Sequence, residues 1–225
     1  MDDSALCLFS HNIENAWNWR KKQLIEHKQL FLNLDEYQEG LVARMGVLLL
    51  YAHWEGFIKD SSRLYLRYFK GKSIYKVPKH VIAAHLSVSI NKISNTHQKE
   101  VRPFEIMDCL KNDQNISNLI ENSINTESNL NSKVLRNISK LVGINYDSIF
   151  SSKDKLIDYS FLGLRHKIAH GEGNPVEKNE YLTLHNEIIP LIEAFKENLI
   201  DSAISANDFF KREEFHLCLK FSESH

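Results

Sequence analysis

Leu164-Arg165-His166-Lys167-Ile168-Ala169-His170-Gly171 crowds a guanidinium, an ammonium and two imidazoles into what reads as the last turn of a helix. No other stretch gathers as much chemistry. Upstream, Leu156, Ile157, Phe161, Leu164 and Ile168 recur at helical spacing, Ser151 or Ser152 is placed to cap the start, and Gly171 supplies a left-handed stop. The pattern predicts a helix with Ile157, Phe161, Leu164 and Ile168 on its core face and Arg165, Ala169 and His170 along the flank. Arg165 and His170 are five residues apart, roughly 140° on an ideal helix, so they converge only where the helix ends near His170.

A planar guanidinium that grips phosphate, beside an imidazole that titrates near neutral pH, is sufficient equipment for phosphoryl transfer. RNA carries its own nucleophile, the 2′-hydroxyl. Cleaving it requires only that protons be moved and that charge on the phosphorus oxygens be stabilised, without a metal. The carbonyl end of the helix is expected to favour imidazolium at His166 and His170, as a general acid requires. The same residues have a plainer explanation, since Lys, Arg and His are favoured in any last helical turn. His166 and His170 stand i,i+4, a spacing that can hold a metal, but no Glu sits in the zinc-protease position and no third ligand can be placed. Neither a metal nor a cofactor is expected.

Two segments carry a resemblance to a known family. Arg165, four residues, His170 and then Gly171 resemble the Arg-x4-6-His motif of the HEPN superfamily; Tyr51-Ala52-His53-Trp54-Glu55-Gly56-Phe57-Ile58-Lys59 resembles the long helix of its RiboL-PSP-HEPN branch. With the helices that follow each, they cover most of the chain. The resemblance implies an all-α, up-and-down bundle with long second and last helices. It also implies a metal-independent endoribonuclease in which Arg165 holds the scissile phosphate and His170 moves the proton. Many members carry Asn directly after the Arg, where this chain has His166, which can still hydrogen-bond to phosphate. A polar or acidic residue of the long helix often lies near the motif, and Glu55 is the candidate here; a carboxylate there would raise an imidazole pKa and hold its tautomer. One imidazole cannot easily serve as both acid and base, and the family pairs two motif helices across a homodimer with the site at the interface. The implied setting is a toxin or antiviral defence effector, restrained by a neighbouring antitoxin or sensor protein.

The 225 residues, 43% of them hydrophobic, can bury one sizeable core, and a formal net charge of −1 gives no global polyanion-binding signature. Any RNA contact must then be a local basic patch. Cys7, Cys109 and Cys218 show no CxxC or disulfide spacing, which suits free thiols in a reducing cytosol. Ala5-Leu6-Cys7-Leu8-Phe9 is too short for a signal peptide and no 18-residue apolar stretch is evident, so a cytoplasmic chain without a membrane partner is expected.

A first helix reads from about Ser10 to Leu32, with Ile13, Trp17, Leu24 and Phe31 on one face and Arg20, Lys21 and Lys22 on a solvated one. Asp35 is placed to cap a second, long helix whose seam is Val47, Leu50, Trp54, Phe57, Leu64 and Tyr68, with Ser61 its one polar member. An i,i+4 ion pair with Lys59 is the plain explanation of Glu55, and His53 reads as solvent-facing or structural. Lys59, Arg63, Arg67, Lys70, Lys72, Lys76 and Lys79 form the densest basic region, interleaved with Tyr65, Tyr68, Phe69 and Tyr75. That mixture suits a single RNA strand, or equally a helix with aromatics turned inward and charges outward. Lys59, Arg63, Arg67 and Lys167 are the candidate RNA contacts.

Pro78 begins a shorter helix through Val81 to Ile93, and Arg102-Pro103 precedes another at Phe104 to Leu110. Asn112 to Asn131, rich in Asn and Ser, predicts a short helix and a flexible loop; Asn131 or Ser132 then caps a helix to Leu141 that Gly143 closes. The last helix runs through Tyr181, Leu184, Ile188, Leu191, Phe195 and Leu199, with a kink expected at Pro190. Residues 1–206 are read as one helical domain and 207–225 as an apolar tail that docks on the bundle or on a partner. The rival to a ribonuclease is a non-catalytic helical module that binds RNA or protein through the same fold.

Overall fold

The computed structural model describes residues 3–94, 115–117, 120–173 and 175–222. Among them seven α-helices follow in order: α1 (Asp3–Leu32), α2 (Glu36–Arg67), α3 (Lys79–Ser94), α4 (Ser132–Leu141), α5 (Tyr146–Ile149), α6 (Gly163–Ala169) and α7 (Lys178–Ser222). Apolar residues at three-four spacing make α1, α2 and α7 amphipathic, and burying those stripes against one another builds an all-α bundle. The described residues contain no strand, only an isolated bridge between Ser73 and Asn115.

α2 is central and packs against α1, α6 and α7. Val47, Leu50, Trp54 and Phe57 are fully buried along it, facing Ile13, Trp17, Leu24 and Phe31 of α1 and Tyr181, Ile188, Phe195 and Leu199 of α7 in one continuous core. Trp17 meets Phe57 with ring centroids 5.5 Å apart. Each such side chain, once buried, contributes about 1.5–3 kcal/mol. The buried Ser61 hydroxyl donates to the Phe57 carbonyl 2.6 Å away, which explains how the seam tolerates one polar member. By length and composition Gln38–Arg67 is apolar enough to cross a membrane, contrary to the expectation that no such stretch exists; half of its most apolar window is buried inside the bundle, as in a core helix.

Three local expectations are corrected. Arg20 is not on a solvated face: it is 6% exposed and pairs with Asp60 of α2 at 2.6 Å. Asp35 precedes α2, but its side chain caps nothing; its carbonyl accepts from the Gln38 N–H instead. Ser151 and Ser152 lie in a 3-10 turn, Ser151–Lys153, and the chain next enters a π-helical stretch, Leu156–Leu162, before α6. The wider π turn shifts the phase, so Leu162 joins Ile157, Phe161 and Ile168 in the core while Leu164 is only partly buried.

Elsewhere Asn131 caps α4 by accepting from the Val134 N–H at 2.8 Å, and Gly143 follows it at φ +75°. The helix expected at Phe104 to Leu110 lies outside the described residues. α7 continues without a break past Ala206 to Ser222, while the docking expected of Phe209 to Phe221 also falls outside the described side chains.

Candidate active site

α6 ends as its sequence requires. His170 is the C-cap, and Gly171 takes φ +77°. The Gly171 N–H donates to the Ile168 carbonyl at 3.1 Å and the Glu172 N–H to the Lys167 carbonyl at 3.0 Å, the paired bonds of a Schellman stop. This turn projects the exposed His170 at the end of the helix while Arg165, one turn back, stays half-buried against α2.

Arg165 lies with Cζ 4.7 Å above the ring of Tyr51. That face fixes the plane of the guanidinium by a cation–π contact. Beside it opens a cleft of about 430 Å³ lined by Leu48, Tyr51, Ala52, Glu55, Gly56, Lys59, Arg165 and Ala169. Small residues line both walls, Ala52 and Gly56 on α2 and Ala169 on α6, so an approaching chain reaches the guanidinium unobstructed. His166 and His170 stand ring to ring at 6.3 Å.

The segment 125–131 completes the site. Asn129 Oδ1 accepts from His166 Nε2 at 2.6 Å and from Arg165 Nη1 at 3.4 Å. Four anchors hold this segment against the helices that carry the chemistry. Thr126 Oγ1 donates to Glu55 Oε1 at 2.7 Å, the Leu130 N–H donates to the Tyr51 hydroxyl at 2.7 Å, Asn131 caps α4, and Ser132 donates through N–H and hydroxyl to Asp158 of the π stretch. Glu127 and Ser128 take φ 53° and 58°, a left-handed conformation that costs non-glycine residues on the order of 1–2 kcal/mol each. The anchors hold it in place, so the Asn/Ser-rich composition that predicted a flexible loop here builds a pinned one.

Electrostatics divide the two imidazoles. Burial, the Arg165 charge and His170 together hold the His166 pKa below the usual value, against the expectation that the helix end favours its charged form. The Schellman bonds already occupy the last carbonyls, which blunts the dipole's pull. A neutral His166 donating from Nε2 leaves Nδ1 as an acceptor. Burial and the Glu55 carboxylate push the Tyr51 phenol up, so it stays protonated and hydrogen-bonds to Glu55.

The structure brings Arg165, His166 and His170 to one helix end and places Glu55 and Lys59 in the same cleft. Glu55 does not form the expected ion pair with Lys59; its hydrogen bonds go to Thr126 and Tyr51. Arg63 and Arg67 lie farther along α2: Arg63 Nη2 donates to the Ile124 carbonyl at 3.3 Å and Arg67 Nε is 3.8 Å from Glu121. Lys167 is exposed and lines no described cleft, and His53 is buried, its ring edge to Trp19 at 5.3 Å. Asn129, Thr126 and the part played by Tyr51 escape a sequence reading; Asn125, Asn129 and Asn131 together were the available signal that this segment makes specific turns. Among the described residues no group of three His, Cys, Asp or Glu is placed to hold a metal ion.

No curated protein and no solved structure matches the chain. The RiboL-PSP-HEPN family model matches residues 15–201, which take in the long helix α2, the segment 125–131 and the whole of the α6 motif: the chain belongs to the RiboL-PSP-HEPN family.

Proposed function

We propose that the protein is a metal-independent endoribonuclease that cleaves single-stranded RNA by attack of the 2′-hydroxyl on the adjacent phosphorus, leaving a 2′,3′-cyclic phosphate and a 5′-hydroxyl. HEPN domains are often nucleases, which gives the reading its starting point. The observation that carries it is the acceptor shared by His166 and Arg165 at Asn129, with His170 one turn on and a cleft open beside the guanidinium. An ordinary helix cap needs no such second layer of support.

Arg165, steadied by Tyr51 and Asn129, holds the non-bridging oxygens and stabilises the charge that builds on them. His170, exposed at the helix end, takes the 2′-hydroxyl proton or delivers one to the leaving 5′-oxygen. His166 positions and supports, and Glu55 acts through Tyr51 and Thr126 rather than on an imidazole.

The second proton carrier comes from a second copy. Leu41, Met45 and Leu48 are 67%, 57% and 37% exposed on one face of α2, and that stripe runs into the cleft at Leu48 and Ala52. Pairing two copies there would bury the stripe and bring two α6 ends together. As a toxin or defence effector in the cytoplasm, such a dimer would be restrained by an antitoxin or sensor protein covering the same cleft.

The test is cleavage of a mixed tRNA and messenger pool in EDTA by wild type, His170→Ala and Arg165→Lys, with each variant's fold and oligomeric state checked. Wild type should cut; His170→Ala should be inactive, and Arg165→Lys, which keeps charge without the fork, strongly impaired. Equal RNA binding by all three without cleavage would instead make this a binding module.

A further inference from the structure

A second cleft, of about 390 Å³, lies between α1 and α2 and is lined by Ala16, Trp19, Arg20, Asp60, Arg63, Leu64 and Arg67. Three features set it apart from a solvated surface. Trp19 is 48% exposed, whereas Trp17 and Trp54 are buried. Its ring is held on one side by Arg20, with Cζ 4.4 Å from the centroid, and at its edge by His53. An indole fixed in this way and still half open to solvent is a preformed stacking platform.

The cations are the second feature. Arg20 is neutralised by Asp60 at 2.6 Å, so the acid in the cleft is already spoken for. Arg63 and Arg67 supply the excess positive charge: Arg63 lines the cleft with no carboxylate partner among the described residues, its Nη2 donating to the neutral Ile124 carbonyl at 3.3 Å, and Arg67, its side chain 52% exposed, shares Glu121 with the closer Lys70.

Continuity is the third. A Cβ built on Gly56, which lines the active-site cleft, would stand 3.5 Å from Arg20 Nη2, which lines this one. Lys59 lines the first cleft and Arg63, one turn on, the second. Glu55 to Arg63 is eight residues, about 12 Å along the helix axis, a distance that a few nucleotides of single strand cover. The two clefts are neighbours along α2.

We propose that Trp19, Arg63 and Arg67 form a second subsite for the same RNA, in which a base stacks on the indole and its phosphate lies against the two guanidinium groups. The subsite rests on the ribonuclease reading and extends it: substrate must be unpaired at the cleavage point and also a few nucleotides away, because only an unpaired base presents a free face to Trp19. Base–aromatic stacking accepts any base, so this site selects single strands rather than a sequence.

The test uses the intact protein and a mixed-sequence 2′-O-methyl oligoribonucleotide, which lacks the attacking hydroxyl, with cleavage of the unmodified oligomer followed in parallel. Binding should quench the fluorescence of the exposed indole. Trp19→Ala should raise Kd about 10-fold and Trp19→Phe much less, as stacking predicts. Arg67→Gln should weaken binding and lower the slope of log Kd against log salt by about 0.7, the value for one phosphate contact on a single strand. Should Trp19→Ala fail to fold, Trp19→Phe and Arg67→Gln still decide the matter through the lost quench and the salt slope. If Trp19→Ala and Arg67→Gln bind like wild type while the unmodified RNA is still cut, the subsite is wrong and the ribonuclease reading stands. If wild type neither binds nor cuts RNA, both fall, and the cleft becomes a surface for an acidic protein.

Discussion

Asn129 Oδ1 accepts a hydrogen bond from His166 Nε2 at 2.6 Å. A carboxamide oxygen at that distance fixes the ring orientation and tautomer, and it spans the motif helix and the segment before α4. Many family members carry an amide side chain directly after the motif Arg; here His166 occupies that position, and Asn129 brings an amide to it from elsewhere in the chain.

Replacing Asn129 tests this link. Asn129→Ala frees His166 and one arm of Arg165, and the expected result is a fall in kcat of about 10-fold or more with the fold retained. Asn129→Asp adds a carboxylate beside the imidazole, which favours its charged form; the His166 pKa, now held low, should rise in an NMR titration. An unchanged rate in both variants would remove His166 and Asn129 from the mechanism.

Tyr51 joins three parts of the site, so its ring and its hydroxyl can be separated. Tyr51→Phe keeps the face under Arg165 but leaves the Leu130 N–H without an acceptor, which should cost about 1–3 kcal/mol in a urea melt. Tyr51→Leu loses the face as well, so Arg165 is no longer held and kcat/KM should drop well beyond the Phe variant under conditions where both are folded. Equal activity in the two would show that the ring does not position the guanidinium.

These residues mark where the sequence was legible. Trp17, Trp54, Phe57, Tyr181 and Phe195 announce a helical bundle because each recurs at a spacing that only one helix face can bury, and Gly171 announces the end of α6 because it alone there accepts φ +77° at little cost. The π stretch at Leu156–Leu162 was hidden, since a wider turn is selected by what the segment packs on, such as Tyr51 against Phe161 at 5.4 Å. Arg20 was misread for a related reason: its charge suggested solvent, but Asp60, forty residues on, lies opposite it. Asn129 was invisible because its partners are 36 and 37 residues away.

The dimer has a direct test on α2. Met45 is 57% exposed in the stripe with Leu41 and Leu48, so Met45→Glu should leave the bundle folded while placing a charge in the proposed interface. Light scattering should then report a monomer, and RNA cleavage should be lost although Arg165 and His170 are untouched. A variant that stays dimeric and active would move the interface to another face.

Acid sensitivity follows from a histidine far from the active site. Tyr65 Oη lies 2.6 Å from His80 Nε2 and 3.1 Å from Ser202, and burial pushes the His80 pKa down to about 4. The folded chain therefore keeps His80 neutral where the unfolded chain, titrating near 6.5, takes up a proton. Stability is then complete above about pH 6.5 and falls as the pH drops toward 4, by roughly 3 kcal/mol at the limit for this one group. His27, His53 and His185 are also held low by burial and add to the same slope. His80→Asn removes one titrating group while leaving a polar partner for Tyr65, so the difference in urea midpoint between pH 7 and pH 4.5 should shrink in this variant. A difference as large as in wild type would mean that His80 does not stay neutral in the folded chain.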